Sequence, residues 1–60
     1  MHLTTIHDRL TAMPLEQIES RLHSNGIATD DFAMLDDAEF INEITILCHS
    51  NTDLYNAIIA

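Results

Sequence analysis

Apolar residues recur at helical intervals along almost the whole chain, beginning at its N-terminal end. The first series is Leu3, Ile6, Leu10 and Met13. Spacings of three and four place these side chains on one face of an α-helix. Thr4 or Thr5 is the expected N-cap of this first helix, since a hydroxyl there accepts a hydrogen bond from a free backbone amide.

The stretch PLEQIESRLHSNG predicts a second helix that begins at Pro14. Proline suits the start of a helix, and Glu16 in the first turn is favoured by the helix dipole. The apolar stripe of this helix is Leu15, Ile18 and Leu22. Gly26 is the expected left-handed residue that ends it, and Ile27 should fold back onto the helix end.

The stretch ATDDFAML predicts a single short turn of helix, capped by Thr29 or Asp30, with Phe32 and Leu35 turned inward. Asp36 then has the position of an N-cap, because Glu39 follows three residues later as in a capping box. The helix that begins there is the longest and most apolar. Its expected inner face is Phe40, Ile41, Ile44, Leu47 and Cys48.

A final helix is expected after SNTD, with Asn51 or Thr52 as its cap and Leu54, Ala57 and Ile58 inward. The pattern therefore predicts an all-α fold, a compact bundle of four or five short helices, with residues 1–60 as a single domain. A chain of this length buries only about 60% of the surface of its unfolded form, so the core is marginal.

Tyr55 and Ile59 share one face of the last helix, and Leu54 and Ile58 share another. A core this small is not expected to cover both faces. Tyr55, Ile58 and Ile59 therefore predict a self-association surface, because a homodimer would bury the surplus apolar area.

Charge is the strongest compositional feature. The chain has ten acids, two arginines and no lysine, which gives a formal net charge of −8. Direct binding to nucleic acid or to an anionic membrane is disfavoured, since both need lysine and arginine. The chain contains no apolar stretch long enough to span a bilayer, and MHLTTIHDRL lacks the apolar run of a signal peptide, so a cytoplasmic location is expected.

The segment TDDFAMLDDAEFINE concentrates six of the ten acids. Five of them lie in expected caps or first turns, where the helix dipole stabilises a carboxylate, so local capping is one explanation. Glu43 lies beyond the first turn and continues from Glu39 toward Ile46 on the outer side of the helix. An acidic rim beside an apolar side chain is also a plausible contact surface for a basic partner.

The sequence contains no pattern typical of a metal, cofactor or catalytic site. An EF-hand loop starting at Asp30 or Asp31 lacks the glycine at its sixth position. Neither a C-x-x-C nor an H-x-x-x-H pair is present, so no zinc site is expected. Cys48 and His49 are neighbours and point to different sides of a helix, which disfavours a nucleophile–base pair. We expect Cys48 in the core, no cofactor and no enzymatic activity.

The stretch DAEFINEITILC, Asp37 to Cys48, resembles the acidic helix-opening segment of colicin DNase immunity proteins. Those are small acidic helical proteins that neutralise a nuclease. The resemblance covers 12 of the 60 residues. The tyrosine-pair helix of that family is not recognisable, because DLYNAI has one tyrosine and lies at a different place in the chain, so no residue roles are carried over.

The leading hypothesis is a small acidic inhibitor that occupies a basic, nucleic-acid-binding surface of another protein. Phages and mobile elements encode acidic proteins of this class, such as DNA mimics and anti-CRISPR proteins. The candidate partner-binding residues are Asp30, Asp31, Asp36, Asp37, Glu39, Glu43 and Ile46. The alternative is a homodimeric structural or regulatory module, whose acids serve solubility alone.

Overall fold

Four α-helices and one 3₁₀ turn make up the fold. The computed structural model describes residues 2–59, and at position 31 it describes the backbone alone. The helices are α1 (Leu3–Thr11), α2 (Leu15–Ser24), α3 (Asp37–Ser50) and α4 (Thr52–Ile59), and the 3₁₀ turn is Asp30–Phe32. No strand occurs within residues 2–59, so the predicted all-α bundle is confirmed.

The α2 helix ends as its sequence predicts. Gly26 has a φ of +77°. Its amide donates to the carbonyl of His23, and the amide of Ile27 donates to the carbonyl of Leu22, both at 3.0 Å. These two bonds form a Schellman motif, which satisfies carbonyls that the helix end leaves free. Ile27 is consequently folded back against the core.

Caps at three helix starts test the sequence predictions. The Oδ1 atom of Asp36 accepts a hydrogen bond of 2.8 Å from the amide of Glu39, which confirms the predicted cap of α3. Asn51 caps α4, because its Oδ1 accepts a bond of 3.2 Å from the amide of Leu54. The prediction for α1 is wrong. That helix begins at Leu3, directly after an N-cap residue that makes no side-chain cap bond, so both candidate threonines lie inside its first turn.

The core is built around α3, on which α1 and α4 pack, and α2 joins it through α4. Every helix contributes buried apolar side chains. They are Ile6, Leu10, Ile18, Leu22, Phe40, Ile41, Ile44, Cys48, Leu54, Tyr55 and Ile58. The 3₁₀ turn contributes Phe32, whose ring lies edge-on to that of Phe40 with centroids 5.6 Å apart. The predicted core position of Cys48 is confirmed.

The predicted inner face of α3 needs one correction. Leu47 is 39% exposed, whereas Thr45 is buried. The Thr45 hydroxyl donates a bond of 2.7 Å to the carbonyl of Ile41, so its burial leaves no free donor. Thr45 lies beside α1, since it lines the same surface hollow as Thr4 and His7, and the packing of α1 along that side of α3 accounts for its burial.

The expectation of surplus apolar surface on α4 is wrong. Tyr55 is 3% exposed, Ile58 is fully buried, and Ile59 is partly buried against the core. The reason is that α4 contacts α1, α2 and α3 together, so both of its apolar faces are covered within the chain. These three residues therefore form no exposed self-association surface in the folded protein. Among the described residues, no helix is both long and apolar enough to cross a membrane.

Candidate protein-binding surface

The described acidic side chains among those predicted to bind a partner lie on the protein surface. The exposed acids of this segment are Asp30, Asp36, Asp37, Glu39 and Glu43. The side chain of Asp31 lies outside the described part of the chain. Ile46, the predicted apolar anchor, is 55% exposed. The structure thus leaves each described candidate accessible to another molecule.

The two arginines lie in different surroundings, and neither pairs with a described carboxylate of this segment. Arg21 is half-buried, and its guanidinium donates to the carbonyls of Ala57 and Ile58 at 3.5 and 3.2 Å, at the C-terminal end of α4. Arg9 is exposed on α1. Within residues 2–59, no arginine or histidine is paired with the described carboxylates of the segment. Their charge is therefore directed to solvent or to a partner.

Part of the segment has the local role that the sequence predicted. Asp36 caps α3, and Asp37 and Glu39 lie in its first turn. A carboxylate in that position interacts favourably with the helix dipole. Capping uses one oxygen of Asp36 and leaves its charge in place, so a structural role and a binding role are compatible there.

Glu43 and Ile46 lie on the outer side of α3. They follow Glu39 at intervals of four and three residues, which keeps the three side chains on one face. That face is opposite to the buried Ile44 and Cys48. The exposed Leu47 lies on the other side of Glu43 from Ile46. The outer side of α3 therefore combines carboxylates with two accessible apolar side chains.

A second acidic feature, which sequence reasoning missed, lies between α2 and the start of α3. Glu19 lines a groove of about 260 Å³ together with Asp30 and Asp37. The rings of Phe32 and Phe40 line the same groove. Glu19 lies eleven residues before Asp30, so only the packing of α2 on this side brings it to the acids of the segment.

A longer apolar groove runs between α1 and α3, and we call it the α1–α3 groove. It consists of two adjoining hollows of about 430 and 280 Å³, and His7 lines both. Thr4 and Ile46 line the first hollow. Thr11 and Ala38 line the second, and Asp37 lies at its edge. Ile46 is the one groove residue that the sequence predicted as an apolar contact. The other residues come together because α1 packs on α3.

Among the described residues, the side chains capable of bond-making chemistry are dispersed or buried. No three histidine, cysteine, aspartate or glutamate side chains among them come together as metal ligands. Burial raises the pKa of the Cys48 thiol to about 11, so the thiol is protonated at neutral pH. The Tyr55 hydroxyl is buried and has no hydrogen-bond partner among the described residues. Exposed charge and exposed apolar surface are the features available for recognition.

Comparison with known proteins adds no relative from which a role could be transferred: no family model, curated protein or solved structure matches this chain. None of these comparisons supports the resemblance of residues 37–48 to colicin DNase immunity proteins. The candidate surface is therefore interpreted from its own geometry and charge.

Proposed function

We propose that this protein is a binding protein that inhibits a partner by occupying the partner's basic, nucleic-acid-binding surface. The observation that carries the proposal is the accessible, unpaired state of the five described carboxylates in residues 30–43. Ile46 lies beside them as an exposed apolar side chain. In this function the carboxylates take the place of backbone phosphates, as in DNA mimics.

The physical argument rests on competition for the same side chains. A nucleic-acid-binding surface holds phosphates through lysine and arginine. Carboxylates engage those groups through charge-assisted hydrogen bonds, so the acidic protein and the nucleic acid exclude each other. Charge complementarity mainly supplies fast association and specificity, whereas desolvated apolar contacts supply much of the affinity. Ile46 and Leu47 are the side chains placed to make such contacts.

The first test is capture of the partner. The protein is immobilised, exposed to a nuclease-treated bacterial lysate and washed at low and then moderate salt. We expect retention of a basic nucleic-acid-binding protein that moderate salt releases, since exposed charges are screened over about 8 Å at physiological ionic strength. The captured protein should then lose its nucleic acid when the acidic protein is added in solution. Retention that salt does not affect would count against a charge-driven function.

The second test is a charge reversal with a matched control. Glu39→Lys combined with Glu43→Lys should abolish partner binding and leave the helical circular dichroism intact. Glu16→Lys combined with Asp53→Lys makes the same change in net charge at exposed acids outside the segment. Equal loss of binding in both double variants would show that total charge matters and that the face of α3 does not.

A homodimeric module is the alternative function. The burial of Tyr55 and Ile58 removes the surface on which that alternative rested. Sedimentation velocity over a range of protein concentrations separates the two functions. The proposal expects a monomer, and a salt-independent dimer would favour the alternative.

A further inference from the structure

We infer that the α1–α3 groove receives an amphipathic helix of the partner, with an apolar face turned into the groove and basic residues along its margins. The inference rests on the proposed function and names the element of the partner that is recognised.

The groove has the length of a short helix. Its two hollows share His7, and together they extend from Asp37 to Ile46 along α3. Nine residues of α-helix span roughly 14 Å, because each residue adds 1.5 Å. The N-terminal half of α1 lines the hollow near Ile46, and its C-terminal half lines the hollow near Asp37, so the two helices run antiparallel and form continuous walls. About two and a half turns of a docked helix fit this length.

Short side chains line each hollow, His7 lies between the two hollows, and apolar side chains lie at the two ends of the groove. Thr4 and Thr11 from α1, with Ala38 from α3, allow another backbone to approach closely. Leu3 is 46% exposed and Ile46 is 55% exposed at one end. Met13 and Leu15 lie at the other end, each partly buried. Helix-in-groove recognition uses this arrangement, with apolar anchors spaced three, four and seven residues apart.

The charges around the groove select a basic occupant. Among the described residues, Asp37 is the carboxylate that lines the groove, and neither Arg9 nor Arg21 lines either hollow. Arg9 is two residues from His7, which places it roughly 160° around the helix and away from the groove. The protein around the groove has a net charge of −8, so lysine or arginine beside the apolar face of a docked helix complements both Asp37 and the charge of the whole molecule.

The same charges disfavour a second copy of this chain as the occupant. A second copy has the same net charge of −8, so its approach to the groove would bring two strongly negative molecules together. Like charges in an interface oppose association. A basic helix meets no such repulsion, and its charges also match the surface that the proposed function requires.

The test uses two synthetic peptides of about 14 residues with the same leucine and lysine composition. In the first, leucines recur at three- and four-residue spacings and form one helical face. In the second, the same leucines are distributed around the helix. We expect the patterned peptide to bind about ten-fold more tightly at moderate salt, measured by fluorescence anisotropy. Amide chemical-shift changes should follow the groove, at Thr4, His7, Ala38 and Asn42.

Groove-filling variants provide the matched control. Ala38 and Asn42 line the groove with exposed side chains. Ala38→Trp and Asn42→Trp should each weaken binding of the patterned peptide by about ten-fold, with no change in net charge. Asn56→Trp introduces the same side chain at an exposed position of α4 and should leave binding unchanged.

Each other outcome overturns the inference in an identifiable way. If both peptides bind equally and the tryptophan variants change nothing, recognition is by charge alone, and the proposed function stands without the groove. If Glu39→Lys with Glu43→Lys also leaves capture of the partner unchanged, the proposed function fails separately. A dimer of the free protein that Ala38→Trp dissociates would identify a second copy as the occupant.

Discussion

The last helix and the outer side of α3 are both rich in apolar residues, yet they have opposite environments. In α4, Tyr55 and Ile58 are buried because three other helices pack around that short segment. On α3, Ile46 and Leu47 are 55% and 39% exposed, although α3 is the central helix of the core. The difference shows that the neighbours of a helix decide its exposure, and its own apolar content does not.

As a result, the accessible apolar side chains Ile46 and Leu47 lie on the same helix as the acids of α3. An exposed α4 would have favoured self-association through contacts free of charge. Ile46 is instead three residues from Glu43 on one face of α3 and lines the α1–α3 groove. Apolar and acidic groups are therefore available to the same partner, which is the basis of the binding function proposed above.

Shortening an apolar side chain should reveal the largest difference in stability between α4 and the outer side of α3. Ile58→Ala should lower the free energy of unfolding by about 2–5 kcal/mol, because it removes a fully buried side chain and leaves a cavity. Ile46→Ala should change it by less than about 0.5 kcal/mol, as is usual at exposed positions. Urea unfolding followed by circular dichroism measures both. If Ile58→Ala does not fold, Ile58→Val should still cost about 0.5–1.5 kcal/mol. Equal costs at positions 46 and 58 would contradict the comparison.

Alkaline pH should lower the free energy of unfolding through Cys48, the buried thiol that α3 contributes to the core. Burial raises the pKa of the thiol from 9.0 to about 11 in the folded state. Its contribution to stability is complete below pH 9 and is lost as the pH rises toward 11, because the unfolded chain releases the proton first. The loss is at most about 2–3 kcal/mol. Subtracting the pH dependence of Cys48→Ala from that of the original protein isolates this contribution, and parallel curves would rule it out.

The contact that Arg21 makes with α4 should have a smaller effect. Arg21→Met keeps much of the aliphatic packing and removes the donors to the carbonyls at the end of α4. We expect a loss of about 1 kcal/mol, below the usual range for charged hydrogen bonds because the arginine is only half-buried. Arg9→Met, at an exposed position, is the control. Thermal unfolding compares them, and similar melting temperatures would show that Arg21 does not hold α4 in place.

The smallest effect should come from the buried hydroxyl of α4. The Tyr55 hydroxyl has no partner among the described residues, so Tyr55→Phe deletes a desolvated group without breaking a hydrogen bond. The free energy of unfolding should be unchanged or rise by up to about 1 kcal/mol. Chemical denaturation measures the difference. A clear destabilisation would mean that the hydroxyl is hydrogen-bonded in solution.

Local signals in the sequence predicted the elements well. Gly26 and Asp36 were identified because their roles depend on bonds within a few residues, and the structure shows those bonds. The α1 cap was missed because a threonine inside a first turn looks the same in sequence as one that precedes it.

The candidate site was predictable only in part. The acids of residues 30–43 were found from composition, because carboxylates rarely lie buried without a partner and so mark surface. Glu19 and the α1–α3 groove were missed, since both depend on which side of one helix meets another. For the same reason the predicted inner face of α3 included Leu47, which is partly exposed, and did not include Thr45, which is buried.

The sequence by itself therefore determined the helices, the positions of several of their caps and the excess of negative charge. Helical periodicity and capping bonds involve residues a few positions apart, and composition involves no contacts at all. All three can therefore be recognised before the fold is known. Only the tertiary structure decided that α4 would be covered, that Arg21 would be used at its end, and that apolar surface would remain beside the acids of α3. Those outcomes depend on how four helices share a small core, which contacts between distant residues determine.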